Sequence, residues 1–200
     1  MRQFLILLLT IISWIANSQT IEEIDRLRTD ILQNLDQYKC LEYTTEKILN
    51  DDAVQYDTAQ FYRNSKGELI FIKWRSRGHS FHIAGDVIKV RELVFKDSKA
   101  LFKRNHGFSF KNPQWHKEPD LNETDISISE SIREYYNLDG MSLGDYKSRR
   151  SEGKYKDRYT LLEKIPLEAK LQRRWSDRCD ECIERDYLSI YRKLLEEKGE

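Results

Sequence analysis

Proline occurs three times and glycine eight times among 200 residues. So few exclude a collagen-like period and a Pro/Gly-rich low-complexity tract, and they argue against a loop-dominated scaffold. No long heptad array is present either. Cysteine is as scarce, with Cys40, Cys179 and Cys182 the full set. In an oxidising compartment three thiols allow one bridge and leave one over. Charge of one sign is not in excess: 34 basic residues face 34 acidic ones. A chain of neutral overall charge is a poor partner for nucleic acid. The chain has no G-x-S-x-G, H-E-x-x-H, P-loop or G-x-G-x-x-G, so the sequence nominates no catalytic residue and no cofactor.

The four histidines are also poorly spaced for metal. His79 and His82 sit at an odd offset, which on a strand points them to opposite faces. His106 and His116 read as turn residues. No metal site is expected.

Against these absences stand 39% hydrophobic and 12% aromatic residues, enough for one folded domain and too many for a disordered polymer. The longest apolar run comes first. Met1-Arg2-Gln3 is a short basic start, Phe4 to Ile15 is almost wholly apolar, and Ala16-Asn17-Ser18 follows as a small-x-small ending. That is the pattern of a cleaved signal peptide over residues 1–18. The run falls short of the roughly 20 residues that cross a bilayer. The expectation is an exported chain, periplasmic or extracellular, with a mature domain over 19–200 and no transmembrane anchor.

The zero net charge hides segregation. Residues 19–59 carry 4 basic and 10 acidic side chains, residues 60–111 carry 12 and 4, and residues 112–145 carry 2 and 8. Such asymmetry speaks to partners and long-range fields rather than to fold.

Thr20 and Glu23 have capping-box spacing, and Ile21, Ile24, Leu27, Ile31 and Leu35 recur at helical period behind them. An amphipathic helix over 20–37 is expected. Leu41 to Asn50 reads equally as a short helix or a strand leading to a turn at Asn50-Asp51-Asp52. From Gln55 the period becomes 2, and short strands read as 55–63, 68–75, 79–84, 87–95, 100–103 and 108–110. Lys111 to Glu123 reads as a polar loop, and its Asn122-Glu123-Thr124 sequon is discounted as a chance match. Asp125–Tyr136 alternates with Ile126, Ile128, Ile132 and Tyr136 on one face. Weaker strands follow at 143–149 and 156–162. Ile183, Tyr187, Ile190, Tyr191, Leu194 and Leu195 define a C-terminal helix over about 180–198. The expected fold class is α+β: an antiparallel β-meander sheet over about 55–163, flanked by the N-terminal amphipathic helix and the C-terminal helix. Both helices would cover one sheet face, burying Ile70, Ile72, Trp74, Ile88, Val90, Val94, Ile126, Ile128 and Ile132.

A faint repeat supports the meander. Arg91 to Leu101 matches Arg133 to Leu143, and Phe61 to Leu69 is a looser copy with the turn Asn64-Ser65-Lys66-Gly67. Each reads as strand, polar turn, strand, and such hairpins need neighbours to bury their apolar faces. Over about residues 55–145 the chain resembles the exported β-meander proteins of Gram-negative bacteria. Their hairpins read aromatic–aromatic, polar turn, glycine, leucine, although Ser98 replaces the turn glycine in one copy here. The resemblance implies a fold and a compartment and transfers no site residue.

Two features carry candidate chemistry. Lys73, Arg75 and Arg77 follow at period 2 around Trp74, and Lys89 and Arg91 lie on a later strand. If the strands meet, five cations share one surface. That surface suits an anionic glycan, a lipid headgroup or an acidic envelope protein. The leading expectation is therefore a non-catalytic binding protein of the cell envelope, unless the acidic N-terminal helix covers that face. The alternative is a thiol-disulfide protein built on Cys179-Asp180-Glu181-Cys182. A redox C-x-x-C needs a lowered thiol pKa, which the start of a helix favours and the nearby Asp177, Asp180 and Glu181 oppose. For the cysteines themselves a plain structural bridge is the leading reading, ahead of redox activity and of metal binding. Pairing of Cys40 with either partner would tie the two ends of the chain together.

Overall fold

The computed structural model describes residues 20–50, 53–80, 85–110, 125–146, 149–162 and 178–200. The expected signal peptide, the turn at Asp51-Asp52, His82, His116 and the loop with its sequon lie outside the described residues.

The chain enters through helix α1, Ile21–Gln33, whose first turn is closed as the spacing predicts. The Glu23 amide donates to the Thr20 hydroxyl at 3.2 Å, and the Thr20 amide donates to the Glu23 carboxylate at 3.0 Å. Each side chain thereby satisfies an amide that the helix leaves unpaired. A 3-10 turn at Leu35–Gln37 ends it. Eight strands follow in one antiparallel sheet: β1 Lys39–Asn50, β2 Ala53–Arg63, β3 Leu69–Ser80, β4 Gly85–Lys96, β5 Lys99–Phe110, β6 Asp125–Tyr136, β7 Ser142–Tyr146 and β8 Arg149–Lys154. Strands β1 to β7 lie in sequence order, and β8 shares the outer edge of β6 with β7. A 3-10 turn at Tyr155–Asp157 leads into the short helix α2, Arg158–Leu161. Helix α3, Asp180–Ile183, continues through a π-helical turn at Glu184–Leu188 into helix α4, Ser189–Glu197.

The meander expectation holds in outline, with the segments longer than the pattern suggested. Leu41–Asn50 belongs to a strand. The expected strands 100–103 and 108–110 are one continuous strand, and Lys156–Leu162 is helical rather than extended. Two of the repeated hairpins share one turn. In each a five-residue loop closes with an asparagine side chain accepting from the amide four residues on, Glu68 for Asn64 and Met141 for Asn137. In each the glycine, Gly67 or Gly140, takes positive φ. The third copy is tighter. Asp97 and Ser98 both take positive φ between Lys96 and Lys99, the two-residue turn whose twist matches its strands.

The helices take opposite faces of the sheet, which corrects the expectation that both cover one. Strand residues alternate between faces and directly paired residues share one. On the first face Leu41, Phe61, Ile72 and Leu93 pack with Phe95 under Ile183, Tyr187 and Tyr191 of the C-terminal helix. On the second face Tyr62, Phe71, Val94, Phe102 and Tyr135 pack under Ile24 and Ile31 of α1. Ile88, Val90, Phe108, Ile126 and Ile128 continue that second face to Leu161 and Leu162 at α2. Bulges explain where the face assignment slips. A register shift beside Arg63 sends Ile70 to the α1 side while Ile72 and Trp74 stay under the C-terminal helix. A second, beside His106, separates Tyr136 from Ile126 and Ile128.

Close packing of the ladder makes one substitution informative. A methyl group on Gly107 would lie 2.7 Å from the Ile88 carbonyl oxygen, a backbone atom of the neighbouring strand. Gly107→Ala is expected to cost about 1–3 kcal/mol by overpacking. Gly78→Ala, with nothing within 4 Å, serves as the control in urea unfolding.

Candidate functional site

Register divides the five cations expected to share one surface. Lys73, Arg75 and Arg77 pair with Glu92, Val90 and Ile88 and so lie on the α1 face. Lys89 and Arg91 pair with Ser76 and Trp74 on the opposite face. The sequence placed the two strands apart. They are direct neighbours, and antiparallel pairing puts the odd positions of β3 beside the even positions of β4.

The α1 face is apolar at both ends and charged in the middle. Three inward rows show why: Ile88, Val90, Glu92, Val94 on β4; Phe102, Arg104, His106, Phe108, Phe110 on β5; Ile126, Ile128, Glu130 on β6. The charged members fall in phase with the apolar ones and meet each other across the ladder. Arg28 of α1 reaches down to Glu92 at 2.7 Å and stacks its guanidinium over Phe102. Arg104 lies 3.8 Å from Glu92 and donates to Glu130 at 2.8 Å. Arg133 donates to Glu130 at 2.7 Å. Glu92, Arg104 and Glu130 are all buried. Burial works against the Glu92 charge, but Arg28 and Arg104 outweigh it and hold the carboxyl below its ordinary range. His106, expected in a turn, sits mid-strand within this network. Burial, with Arg104 and Arg28 nearby and Glu92 and Glu130 only partly opposing, lowers it to about 4. Its Nδ1 is buried without a hydrogen-bond partner among the described residues.

Above this network, between α1 and α2, opens a groove of about 350 Å³. Arg28, Lys73, Arg75, Arg104, His106 and Arg158 line it, with Glu92 the single carboxylate among the described residues. Leu32, Val90, Phe108, Ile128, Tyr155 and Leu162 form its apolar wall. Arg158 is held over the Tyr155 ring at 4.0 Å. Arg28 and Arg104 are committed to the buried carboxylates. Lys73, half-buried, and Arg75, exposed, have no carboxylate partner among the described residues. Arg28, Glu92, Arg104, His106, Glu130 and Arg158 were missed by the sequence reading. The available signal was a charged residue in phase with buried apolar ones on each of three strands.

The cysteines resolve into one pair and one single. Cys179 and Cys182 form a disulfide. Cys40 is a half-buried free thiol on the α1 face, paired in register with Tyr62. The sheet therefore lies between it and the disulfide, and the end-to-end staple that Cys40 could have made is not formed. Burial, then the Glu42 charge, pushes the Cys40 thiol up. Arg178 anchors the disulfide segment. Its buried guanidinium donates to the Ala100 carbonyl at 3.0 Å and to the Asp180 carboxylate, while its amide donates to the Gly140 carbonyl at 3.0 Å. The hydrogen bond from Arg178 holds Asp180 below the usual carboxylate range.

Among the described residues no group of histidine, cysteine, aspartate and glutamate side chains is arranged to hold a metal ion. No described helix is long and apolar enough to cross a membrane. No protein-family model, curated protein or solved structure matches the chain.

Proposed function

We propose that this protein is an exported binding protein of the cell envelope, and that its ligand is an anionic amphiphile held in the groove between α1 and α2. The headgroup rests on Lys73 and Arg75, and the apolar portion lies along Val90, Phe108, Ile128 and Leu162. One observation carries the reading: two cations without a carboxylate partner among the described residues stand at a cavity whose other wall is apolar. The volume falls in the range of small-molecule sites. Charge-assisted hydrogen bonds from lysine and arginine supply orientation, and the apolar wall supplies burial. A sulfated glycan would use the cations and leave that wall unused, so the amphiphile fits the whole site better. Lys89 and Arg91, on the far face, take no part, and Arg77 lies beyond the groove lining.

Titration calorimetry with decyl phosphate, methyl phosphate and a sulfated disaccharide tests this. Decyl phosphate is expected to bind tightest. Each charge-assisted contact contributes about 1.5–3 kcal/mol, so Lys73→Gln with Arg75→Gln should weaken binding by at least about 100-fold. Lys89→Gln with Arg91→Gln should leave it unchanged. Equal affinity in the groove variant and the wild type would overturn the site. Tighter binding of the disaccharide than of decyl phosphate would overturn the ligand class.

A further inference from the structure

A second site lies on the opposite face, independent of the groove. The Cys179–Cys182 disulfide links two residues of the same helical turn. Closing so small a ring removes little chain entropy in the loop-closure account, and it ties no separate elements together. As a staple it does little. Its surroundings suit another role. Both cysteines line a cavity of about 340 Å³ with Ile183 and Tyr187, where Arg91 and Lys103 are balanced by Glu134 and Asp186. Cys179 is exposed and Cys182 half-buried. The Cys182 amide points at the Cys179 sulfur, 3.3 Å away.

The negative charge of Asp180, which would oppose a thiolate here, is engaged by Arg178. That same Arg178 fixes the segment to two hairpins of the sheet through Ala100 and Gly140. The sulfur pair is thus rigidly mounted, reachable on one side, and provided with an amide donor on its outer member.

We infer that Cys179–Cys182 is a thiol–disulfide exchange site that accepts electrons from paired cysteine thiols of a partner polypeptide. A partner thiolate enters the cavity and attacks the exposed Cys179 sulfur. A new sulfur–sulfur bond forms to Cys179, the Cys179–Cys182 bond breaks, and Cys182 leaves as a thiolate that takes a proton from water. The partner's second thiolate then attacks its own sulfur in the mixed disulfide and displaces Cys179. The Cys182 amide stabilises that leaving thiolate. The partner loses two electrons and two protons and becomes a disulfide; the protein ends with two thiols. Glutathione disulfide regenerates it by the reverse exchange.

The experiment uses oxidised Cys40→Ala protein and a synthetic peptide carrying two reduced cysteines, with products followed by mass spectrometry. The Cys182 amide, donating to the Cys179 sulfur, makes it the better leaving group of the pair. Peptide oxidation is therefore expected to run measurably faster than with an oxidised linear peptide of residues 176–185. In Cys182→Ser, glutathione disulfide should leave a stable adduct on Cys179, and Cys179→Ser should collect far less on Cys182. Far-UV circular dichroism confirms that each variant is folded. A folded protein that exchanges no faster than the linear peptide overturns the inference, as does equal adduct formation at both positions.

Discussion

Glu130→Gln is expected to lower the free energy of unfolding by about 3–5 kcal/mol, because it removes one side of a buried ion network and leaves the other charged. Glu130 accepts from Arg104 Nε at 2.8 Å and from Arg133 Nε and Nη2 at 2.7 and 3.0 Å. Arg104 and Arg133 are directly paired in register, so without the carboxylate two like charges would face each other across the ladder. The bulge beside His106 makes the arrangement possible. It leaves Ser131 unpaired between Ile132 and Glu130, so residues three apart, Glu130 and Arg133, reach the same face. Glu134→Gln is the comparison. Its partner Lys103 lies 3.3 Å away and is partly exposed, a setting in which an ion pair contributes about 0–1 kcal/mol. Urea unfolding of both variants at pH 7 decides. Similar losses would mean that the buried network contributes no more than a surface pair.

The same bulge shows where sequence reading stops. Helical period and a capping box located α1 and the C-terminal helix to within a few residues, because both signals are local. The division of the sheet into strands was less legible. Arg104-Asn105-His106-Gly107 looked like an interruption of a strand because charge and glycine are poor strand signals taken alone. They are tolerated because Arg104 meets Glu92 and Glu130, residues 12 and 26 positions away in sequence. Alternation gave the relative facing of Lys73 and Arg75 correctly. It could not say which residues of β4 stand beside them, because a one-residue change of register moves a whole strand to the other face. The five-cation surface depended on that register and does not form. For the disulfide, spacing alone left connectivity open, and the position of Cys40 on the far face of the sheet settles it.

Stability is expected to fall by about 3 kcal/mol between pH 7 and pH 4 on account of His106 alone. Its folded value of about 4 lies below the ordinary 6.5. Between those values the unfolded chain binds a proton that the folded chain refuses, so acidification favours unfolding. Glu92 acts in a lower window: held below its ordinary 4.5, it contributes stability above that value and loses it as pH falls further. Thermal unfolding from pH 7 to pH 3.5 should therefore show two declines, and His106→Gln should remove the upper one while leaving the lower. Ligand binding reverses the sign at His106. An anion placed in the groove adds negative charge where Arg28 and Arg104 now disfavour the imidazolium, which raises the His106 pKa and draws in a proton. Calorimetry at pH 5.5 in two buffers of different ionisation enthalpy should record proton uptake with decyl sulfate, whose single charge is constant over this range. Affinity should rise from pH 7 to pH 5.5 in the wild type and stay level in His106→Gln. Binding without proton uptake, at equal affinity across that range, would place the headgroup away from His106 and restrict its contacts to the Lys73 and Arg75 end of the groove.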